Sequence, residues 1–306
     1  MTASPFDEGC GQGHNVCMSQ SPLTVYYSPA YVVEGRMETV TKARLVAELI
    51  ESGKAGEVWL EAPKPATRKE LEAIHDAEYV RHTLEDKGAF LEVGPWSQPL
   101  LDSILASTGG MRDAVKEAFR NGRSGSLSSG LHHARRASGS GFCQFNGLAL
   151  AALEALRKVR TVGILDADAH GGGGTFDILG GDRRVYLADV AVNSFDSWEP
   201  TDPQRHFYVE ADDPRGYLGH LEDALHSLEP VDFLIYNAGM DTYEKAGGMK
   251  GITKDIIRKR EKMVVHWARA RKVPHIFALA GGYKWDGLTL EQVAELHLET
   301  VKAFAA

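Results

Sequence analysis

The decisive stretch of this sequence reads Thr161-Val-Gly-Ile-Leu-Asp-Ala-Asp-Ala-His170, and four glycines follow it at positions 171–174. Its first half is a short apolar run of the kind that forms a buried strand, and its second half is polar. Two-residue spacing puts Asp166, Asp168 and His170 on one face of an extended chain. Two carboxylates buried side by side are costly unless a cation neutralises them. The stretch therefore predicts a site for zinc or a similar divalent ion.

Spacing alone leaves two other interpretations of this stretch open. An exposed acidic turn could carry the same residues without binding any ligand. A phosphate-binding loop of the Walker type could also use the glycines, but it needs a Gly-Lys-Ser or Gly-Lys-Thr sequence. The glycines are followed by Thr175 with no lysine before it, so the metal interpretation is preferred.

Runs that are typical of strands alternate with helical runs along the rest of the chain. Apolar residues recur at three- and four-residue spacing in the predicted helices, which are residues 40–51, 69–84, 101–119, 146–158, 217–228, 253–271 and 290–305. The predicted strands are residues 24–27, 161–166, 184–189, 232–237 and 275–279. Glycine and serine dominate residues 122–141, which are predicted to form a long loop. The alternation predicts one α/β domain with a mostly parallel sheet and helices on both faces.

Composition excludes several classes of protein. The 306 residues carry a formal net charge of -8, and 43% of them are hydrophobic, which is ordinary for a globular protein. The negative charge argues against direct binding of nucleic acid, which usually needs a basic surface. No apolar run approaches the ~20 residues of a membrane-spanning helix. We therefore expect a protein that contacts neither nucleic acid nor membrane.

The N-terminal residues are expected to be a flexible segment over 1–22, ahead of a catalytic domain over 23–306. Cys10, His14 and Cys17 could form a metal-binding tract there, but no fourth ligand lies nearby in the sequence. The segment lacks the basic start and apolar stretch of a secretory signal. Together with a total of only three cysteines, too few for a disulfide framework, this predicts a cytoplasmic protein.

Polar residues that follow other predicted strands are further candidates, because ligands of such sheets bind beyond the carboxyl ends of the strands. Asp241 follows residues 232–237, and Tyr283 follows residues 275–279. The adjacent His132 and His133 suit acid–base chemistry, since imidazole titrates near neutral pH. Each of these has an ordinary alternative, such as a turn aspartate, a packed tyrosine or incidental histidines. Cys143 is interpreted as a small buried residue and not as a nucleophile.

The motifs together resemble the histone deacetylase superfamily, which includes acetylpolyamine amidohydrolases and acetoin-utilisation-type proteins. The resemblance extends over nearly all of residues 24–305, with details at 184–190 and 236–239 that are most similar to class IV members. It rests on five motifs in the same order, which are residues 132–133, 141–143, 166–170, 238–241 and 281–283. The resemblance implies a single-domain, three-layer fold of the arginase/deacetylase type.

The resemblance also implies a chemistry, namely removal of acetyl or longer acyl groups from lysine side chains or from acylated polyamines. Asp168, His170 and Asp241 would bind one Zn²⁺, with Fe²⁺ as the alternative. Tyr283 would donate a hydrogen bond to the scissile carbonyl oxygen. The substrate would then be an acylated lysine peptide, an acylated protein or an acylpolyamine. Whether the chain forms a homo-oligomer stays open.

Further roles follow from the same resemblance. His132 and His133 would transfer protons, and Asp166 would orient His132 and border a K⁺ ion. Gly141 and Phe142 would line a narrow channel for the acylated lysine. Two carboxylate ligands neutralise the charge of the divalent ion, so the ion lowers the pKa of its bound water less. A separate general base is therefore needed, and His133 is the candidate.

One position departs from the family pattern. Where the family usually has an Asp or Asn whose side chain orients the second histidine, this sequence has Gly173. We therefore expect the backbone or a water molecule to orient His133. The glycine also leaves open a non-catalytic or weakly active binding protein of the same fold. A two-metal enzyme of the ureohydrolase type is a further alternative, which the single Asp-x-Asp-x-His motif disfavours.

Overall fold

Parallel strands, most of them buried on both faces, form the centre of the structure. The computed structural model describes residues 21–33, 41–129 and 131–306, so Cys10, His14 and Cys17 lie outside the described residues. The strands are β1 (Leu23–Tyr26), β2 (Val58–Glu61), β3 (Phe90–Leu91), β4 (Gly94–Pro95), β5 (Arg123–Ser126), β6 (Val162–Asp166), β7 (Val185–Ala191), β8 (His206–Glu210), β9 (Leu234–Ala238) and β10 (His275–Leu279). Eight of them form one sheet in the order β2-β1-β5-β10-β9-β6-β7-β8, and every neighbouring pair is parallel.

Helices cover both faces of this sheet, as the sequence predicted. They are α1 (Lys42–Glu51), α2 (Arg68–Leu71), α3 (Ala77–Glu85), α4 (Gln98–Asn121), α5 (Gly147–Ala155), α6 (Gly173–Leu179), α7 (Tyr217–Ser227), α8 (Lys254–Ala270) and α9 (Leu290–Ala305). Two apolar clusters separate the layers, one beneath α1 and α7–α9 and the other beneath α2–α6. Successive residues of a strand alternate between the clusters: Ile164 of β6 belongs to one and Leu165 to the other. None of these helices is both long and apolar enough to cross a bilayer.

Strand β5 corrects the prediction of a continuous loop over residues 122–141. Its four residues are buried although none has an apolar side chain. A Cβ atom at Gly125 would lie 2.1 Å from the ring of Phe277 in β10, so only glycine fits between these strands. The hydroxyl of Ser124 donates to the carbonyl oxygen of Thr24 at 2.8 Å. The loop prediction was wrong because close packing and hydrogen bonds, not apolar side chains, hold this strand in the sheet.

The predicted helix over residues 69–84 is likewise wrong, because two short helices, α2 and α3, replace it. Between them lies His75, whose ring is buried in contact with two other segments. Its Nδ1 donates to the carbonyl oxygen of Arg135 at 2.8 Å, and its Nε2 accepts from the backbone N–H of Asn146 at 3.0 Å. Burial lowers the pKa of His75 to about 4, so the ring stays neutral. These long-range hydrogen bonds fix His75 between the two helices, and no local sequence pattern predicts them.

Four further strands, β2, β3, β4 and β8, and the whole of helix α6 were also not predicted from the sequence. Strands β2 and β8 are the two edges of the sheet, and their side chains are half-exposed. Edge strands carry less apolar surface, which weakens the pattern that marks a strand. Helix α6 begins within the four glycines, where helix propensity is low.

A buried arginine forms hydrogen bonds with both segments that carry the candidate ligands. Arg260 of α8 is fully buried and forms an ion pair of 2.7 Å with Glu261. Its Nη1 also donates to the carbonyl oxygen of Ala167 and to the hydroxyl of Thr242, both at 3.0 Å. Ala167 separates Asp166 from Asp168, and Thr242 follows Asp241. One guanidinium therefore fixes the turn after β6 against the turn after β9.

Replacing Arg260 with methionine should lower the free energy of unfolding by about 3–5 kcal/mol, because Glu261 would be left buried without its partner. Chemical denaturation measures the effect. The matched control is Arg258→Met on the exposed side of the same helix, where the loss should stay below about 1 kcal/mol. Equal losses in the two variants would contradict this role of Arg260.

Candidate active site

The carboxyl ends of β6 and β9 bring three predicted ligands together. Asp168 and His170 follow β6, and Asp241 follows β9. One potential ligand atom of each residue lies within 4.8 Å of the other two. Over residues 21–33, 41–129 and 131–306, this is the one group of three or more His, Cys, Asp or Glu side chains that could hold a metal ion. The described residues thus offer no larger cluster of the kind that a two-metal ureohydrolase would need.

The chemistry of these side chains fits a divalent cation. Asp168 and Asp241 are both buried, and Asp168 Oδ2 accepts a 2.6 Å hydrogen bond from the backbone N–H of Gly281. Asp241 Oδ1 accepts from the N–H of Ala169 at 3.0 Å, whereas its buried Oδ2 has no hydrogen-bond partner. A buried, unsatisfied carboxylate oxygen is rare unless something else binds it. A cation between the two carboxylates would satisfy it.

Glycine at position 281 allows this arrangement. A Cβ atom there would lie 1.8 Å from Asp241 Oδ2 and 2.7 Å from Asp168 Oδ2, which no side chain could tolerate. Burial and the charge of Asp168 raise the pKa of Asp241. The protein therefore holds two carboxylates in an unfavourable contact that a cation would relieve.

His170 carries a proton that an ion would have to displace. Burial opposes its protonation, but hydrogen bonds and charge from Asp168 and Asp241 outweigh burial and raise the pKa of His170 to about 10. The ring lies 3.0 Å from Asp168 Oδ1 through Nδ1. Because a metal ligand must be the neutral imidazole, binding of an ion is expected to release this proton.

Two histidines whose rings contact each other lie beside the three ligands. The ring centroids of His132 and His133 are 3.8 Å apart, and both side chains are buried. His132 Nδ1 donates to Asp166 Oδ2 at 2.9 Å, and its Nε2 lies 3.7 Å from Asp168 Oδ1. Asp166 is fixed in turn by the side-chain amide of Asn237, which donates to its Oδ1 at 2.9 Å. The structure thus places Asp166 where it orients His132.

The surroundings separate the pKa values of the two histidines. Burial lowers the pKa of His132, but the charges of Asp166 and Asp168 outweigh it and raise the value to about 10. Burial and the neighbouring charge of His132 lower the pKa of His133. Two adjacent titratable groups with opposite shifts are typical of an acid–base pair. His132 is therefore the protonated member and His133 the neutral one.

A carboxylate, and not backbone or water, contacts the Nδ1 atom of His133, which corrects the expectation drawn from Gly173. His133 Nδ1 donates to Asp196 Oδ2 at 2.8 Å. Asp196 lies in the loop between β7 and β8, far from the motifs that the sequence analysis used. Sequence reasoning missed it because no pattern marks this loop. The available signal was the absence of a side chain at position 173.

An exposed aromatic ring borders the histidines. Phe195 is 48% exposed, and its ring centroid lies 5.0 Å from that of His133 and 5.7 Å from that of His170. Phe142, predicted to line the channel, is 37% exposed and has a positive φ of 67°. A Cβ atom at Gly141 would lie 2.3 Å from the His133 ring, so glycine is required there. Phe195 is a second residue that the sequence analysis did not identify.

The remaining candidates occupy different surroundings. Cys143 is buried, and burial raises the pKa of its thiol, which confirms its interpretation as a small core residue. Tyr283 is half-buried and follows Gly281, whose N–H contacts Asp168. Tyr283 is therefore close in sequence to a segment that touches the ligands.

The loop that carries Phe195 and Asp196 is anchored on a buried carboxylate. Asp189 of β7 accepts hydrogen bonds from the indole N–H of Trp198 and from the N–H of Gly172, both at 2.7 Å. Burial and the charge of Asp166 raise the pKa of Asp189 to about 8. The Trp198 ring also stacks on Phe176 of α6, with centroids 4.4 Å apart. These contacts hold the loop against the glycine-rich segment.

The described residues place a potential metal-ligand cluster and a histidine pair at the carboxyl edge of a parallel α/β sheet, an arrangement typical of metal-dependent α/β hydrolases. The model of the histone deacetylase domain matches residues 33–202 of this chain. The chain belongs to the histone deacetylase family, which is a family of hydrolytic deacetylases.

Related sequences align with most of this chain. An uncharacterized protein of Picosynechococcus sp. is 30% identical over 277 residues, which are 85% of this chain and 91% of that protein. Histone deacetylase 2 of Arabidopsis thaliana is 28% identical over 292 residues, which are 86% of this chain and 75% of that protein.

A solved structure has the same fold. The acetylpolyamine aminohydrolase from Burkholderia pseudomallei superposes with a TM-score of 0.74 and 17% sequence identity. The match covers 93% of this chain and 99% of that structure. The single-domain α/β fold predicted from the sequence is therefore confirmed.

Replacing Asp241 with asparagine should weaken binding of Zn²⁺ at least about 100-fold, because the variant keeps the size of the side chain and loses the charge of a ligand. Isothermal titration calorimetry measures the affinity. Asp223→Asn, on the exposed side of α7, is the matched control and should bind as the wild type does. An Asp241→Asn variant with wild-type affinity would contradict the site.

The same titration has an expected pH dependence. Because His170, with a pKa of about 10, is protonated at pH 7, a metal ion must compete with that proton. The affinity should rise by about tenfold per pH unit below pH 9, and each ion bound should release protons. An affinity that does not change between pH 7 and pH 8 would contradict the assignment of His170.

Proposed function

We propose that this chain is a metal-dependent deacylase that hydrolyses the amide bond of an acylated lysine or a related acylated amine. Asp168, His170 and Asp241 would hold a single divalent ion, with Zn²⁺ as the first candidate because of the mixed His and carboxylate ligands, and Fe²⁺ as the alternative. The observation that carries the proposal is the buried ligand cluster beside two histidines whose Nδ1 atoms each contact a carboxylate.

The chain's own residues divide the proton transfers. His133, neutral and oriented through Nδ1, would accept at Nε2 the proton of the water that attacks the amide carbon. It would return this proton to the nitrogen as the C–N bond breaks, so that a carboxylic acid and an amine leave. His132, kept protonated by Asp166, would stabilise the negative charge that develops between these steps. When bound, the divalent ion would add a Lewis acid that polarises the carbonyl.

Tyr283 would be the hydrogen-bond donor to the oxyanion of the tetrahedral intermediate. Its position after Gly281, which contacts Asp168, supports this role. A donor of this kind contributes on the order of 3 kcal/mol to transition-state stabilisation.

Phe142 and Phe195 support a substrate with a slender aliphatic chain. The exposed ring of Phe195 borders His133, and Phe142 is exposed beside Gly141, which lies against the same histidine. A lysine side chain or a polyamine arm has the methylene groups to pass along such apolar surfaces. The names of the relatives, a histone deacetylase and an acetylpolyamine aminohydrolase, fit the same class of substrates. A K⁺ ion beside Asp166 is part of the proposal.

The proposal is tested by a hydrolysis screen on metal-loaded protein. The substrates are an acetyl-lysine peptide, a long-chain acyl-lysine peptide and an acetylpolyamine, with the metal content measured on the same sample. We expect turnover of at least one substrate, and loss of turnover in Asp168→Ala together with its metal. A metal-loaded wild type that turns over none of them would contradict the deacylase and favour a binding protein.

Replacing Tyr283 with phenylalanine should lower kcat by about 10²–10³-fold and leave the metal content unchanged, because only the oxyanion donor is removed. Steady-state kinetics and metal analysis measure both effects. Tyr186→Phe, at the opposite end of β7 from the site, is the matched control and should keep wild-type rates. An unchanged kcat in Tyr283→Phe would remove this residue from the mechanism.

A further inference from the structure

The two site histidines each contact one carboxylate, but the carboxylates come from unrelated segments. Asp166, at the end of β6, contacts His132 at 2.9 Å, and Asp196, in the loop between β7 and β8, contacts His133 at 2.8 Å. Both contacts use Nδ1, which leaves the Nε2 atoms available for chemistry. The pairing of His133 is therefore equivalent in geometry to that of His132, although the sequence has no acidic residue at position 173.

The carboxylate of Asp196 fills the space that a side chain at position 173 would need. A Cβ atom built on Gly173 would lie 2.4 Å from Asp196 Oδ1 and 2.7 Å from the Asp196 carbonyl oxygen. No side chain at position 173 can therefore coexist with the carboxylate of Asp196 where it now lies. The glycine makes room for a carboxylate that arrives from another loop.

Asp196 is held firmly in this position. Its side chain is 4% exposed, and its Oδ2 also accepts from the N–H of Gly174 at 3.2 Å. Its Oδ1 accepts from the guanidinium of Arg135, which also donates to the carbonyl oxygen of Gly173 at 3.3 Å. The N–H of Gly173 donates to the Asp196 carbonyl oxygen at 3.1 Å. Asp196 thus has a fixed rotamer and a fixed backbone.

We propose that Asp196 is the positioning residue for His133, and that it substitutes for the side chain missing at position 173. The inference rests on the proposed function for its effect on turnover, but the contact itself can be tested without turnover. Asp196 would act through His133 by keeping the proton on Nδ1, so that Nε2 faces the reacting water.

The same loop would then link substrate binding to proton transfer. Phe195, which borders His133 and His170, immediately precedes Asp196. Trp198 anchors the loop by donating to Asp189 at 2.7 Å. One loop would therefore supply an apolar wall of the channel and the carboxylate that orients the base.

The test removes the carboxylate of Asp196 and compares the result with a variant that keeps an acceptor oxygen there. Asp196 has a φ of 55°, in the left-handed region, so Asp196→Gly removes the carboxylate without strain. We expect this variant to lower kcat by about 10²–10³-fold, with KM within about threefold and unchanged metal content. Asp196→Asn, which keeps an acceptor oxygen for the Nδ1–H of His133, should retain at least about tenfold more activity than Asp196→Gly.

A second readout does not depend on catalysis. The Nδ1–H of His133 should give a slowly exchanging, downfield proton resonance in NMR spectra of the wild type, assigned by its loss in His133→Phe. Asp196→Gly should abolish it. Asp196→Asn, which keeps an acceptor oxygen and tolerates the same φ, should retain both the fold and the resonance.

Asp202→Gly, in the same loop, is the control for loop effects and should behave as the wild type. Wild-type kcat in Asp196→Gly, or a His133 resonance that persists in it, would overturn the proposal. If Asp202→Gly lowers kcat as much as Asp196→Gly does, the effect comes from loop structure alone, and this would also overturn the proposal. If the wild type hydrolyses no substrate, the proposed function fails, and the NMR resonance still decides whether Asp196 positions His133.

Discussion

The burial of several carboxylates at the carboxyl edge of one parallel sheet is the constraint on which the rest of this structure depends. Each buried carboxylate costs several kcal/mol unless it is compensated. Asp166 is compensated by His132 and Asp189 by Trp198, through hydrogen bonds from ring nitrogens. His170 Nδ1 lies 3.0 Å from Asp168 Oδ1 and 3.4 Å from Asp241 Oδ2, and this Asp241 oxygen has no hydrogen-bond partner. The negative charge of Asp168 and Asp241 is therefore only partly compensated at the proposed metal site. Without a cation, the burial of these two carboxylates destabilises the folded protein.

The same charges organise the histidine pair. A carboxylate at Nδ1 gives each ring an orientation, while the greater negative charge around His132 separates its pKa from that of His133. One member then carries a charge and the other is free to accept a proton, as acid–base catalysis requires. The absent side chain at position 173 was the main argument for a non-catalytic protein. Because Asp196 contacts His133 instead, that argument loses its basis.

The sequence predicted what depends on local pattern, and it failed where distant segments meet. Apolar runs predicted a parallel sheet, although not all of its strands, and both helix layers, since these features repeat with the period of the backbone. The complete set of three ligands followed from the resemblance to the deacetylase family. Strand β5 was mistaken for loop because Gly125 and its neighbours are buried by close packing against Phe277. Asp196 was missed because its contact with His133 joins residues 63 positions apart, and Phe195 was missed with it. A residue whose role depends on contacts with distant segments cannot be recognised from a local sequence pattern.

The most direct test of the account is a titration of metal-free protein with Zn²⁺, followed by both hydrolysis of the best acylated substrate and protein stability. The account predicts that the rate and the free energy of unfolding rise together and reach a plateau at one ion per chain, because a single cation compensates Asp168 and Asp241. Activity that is independent of added metal, or a plateau at two ions per chain, would contradict it.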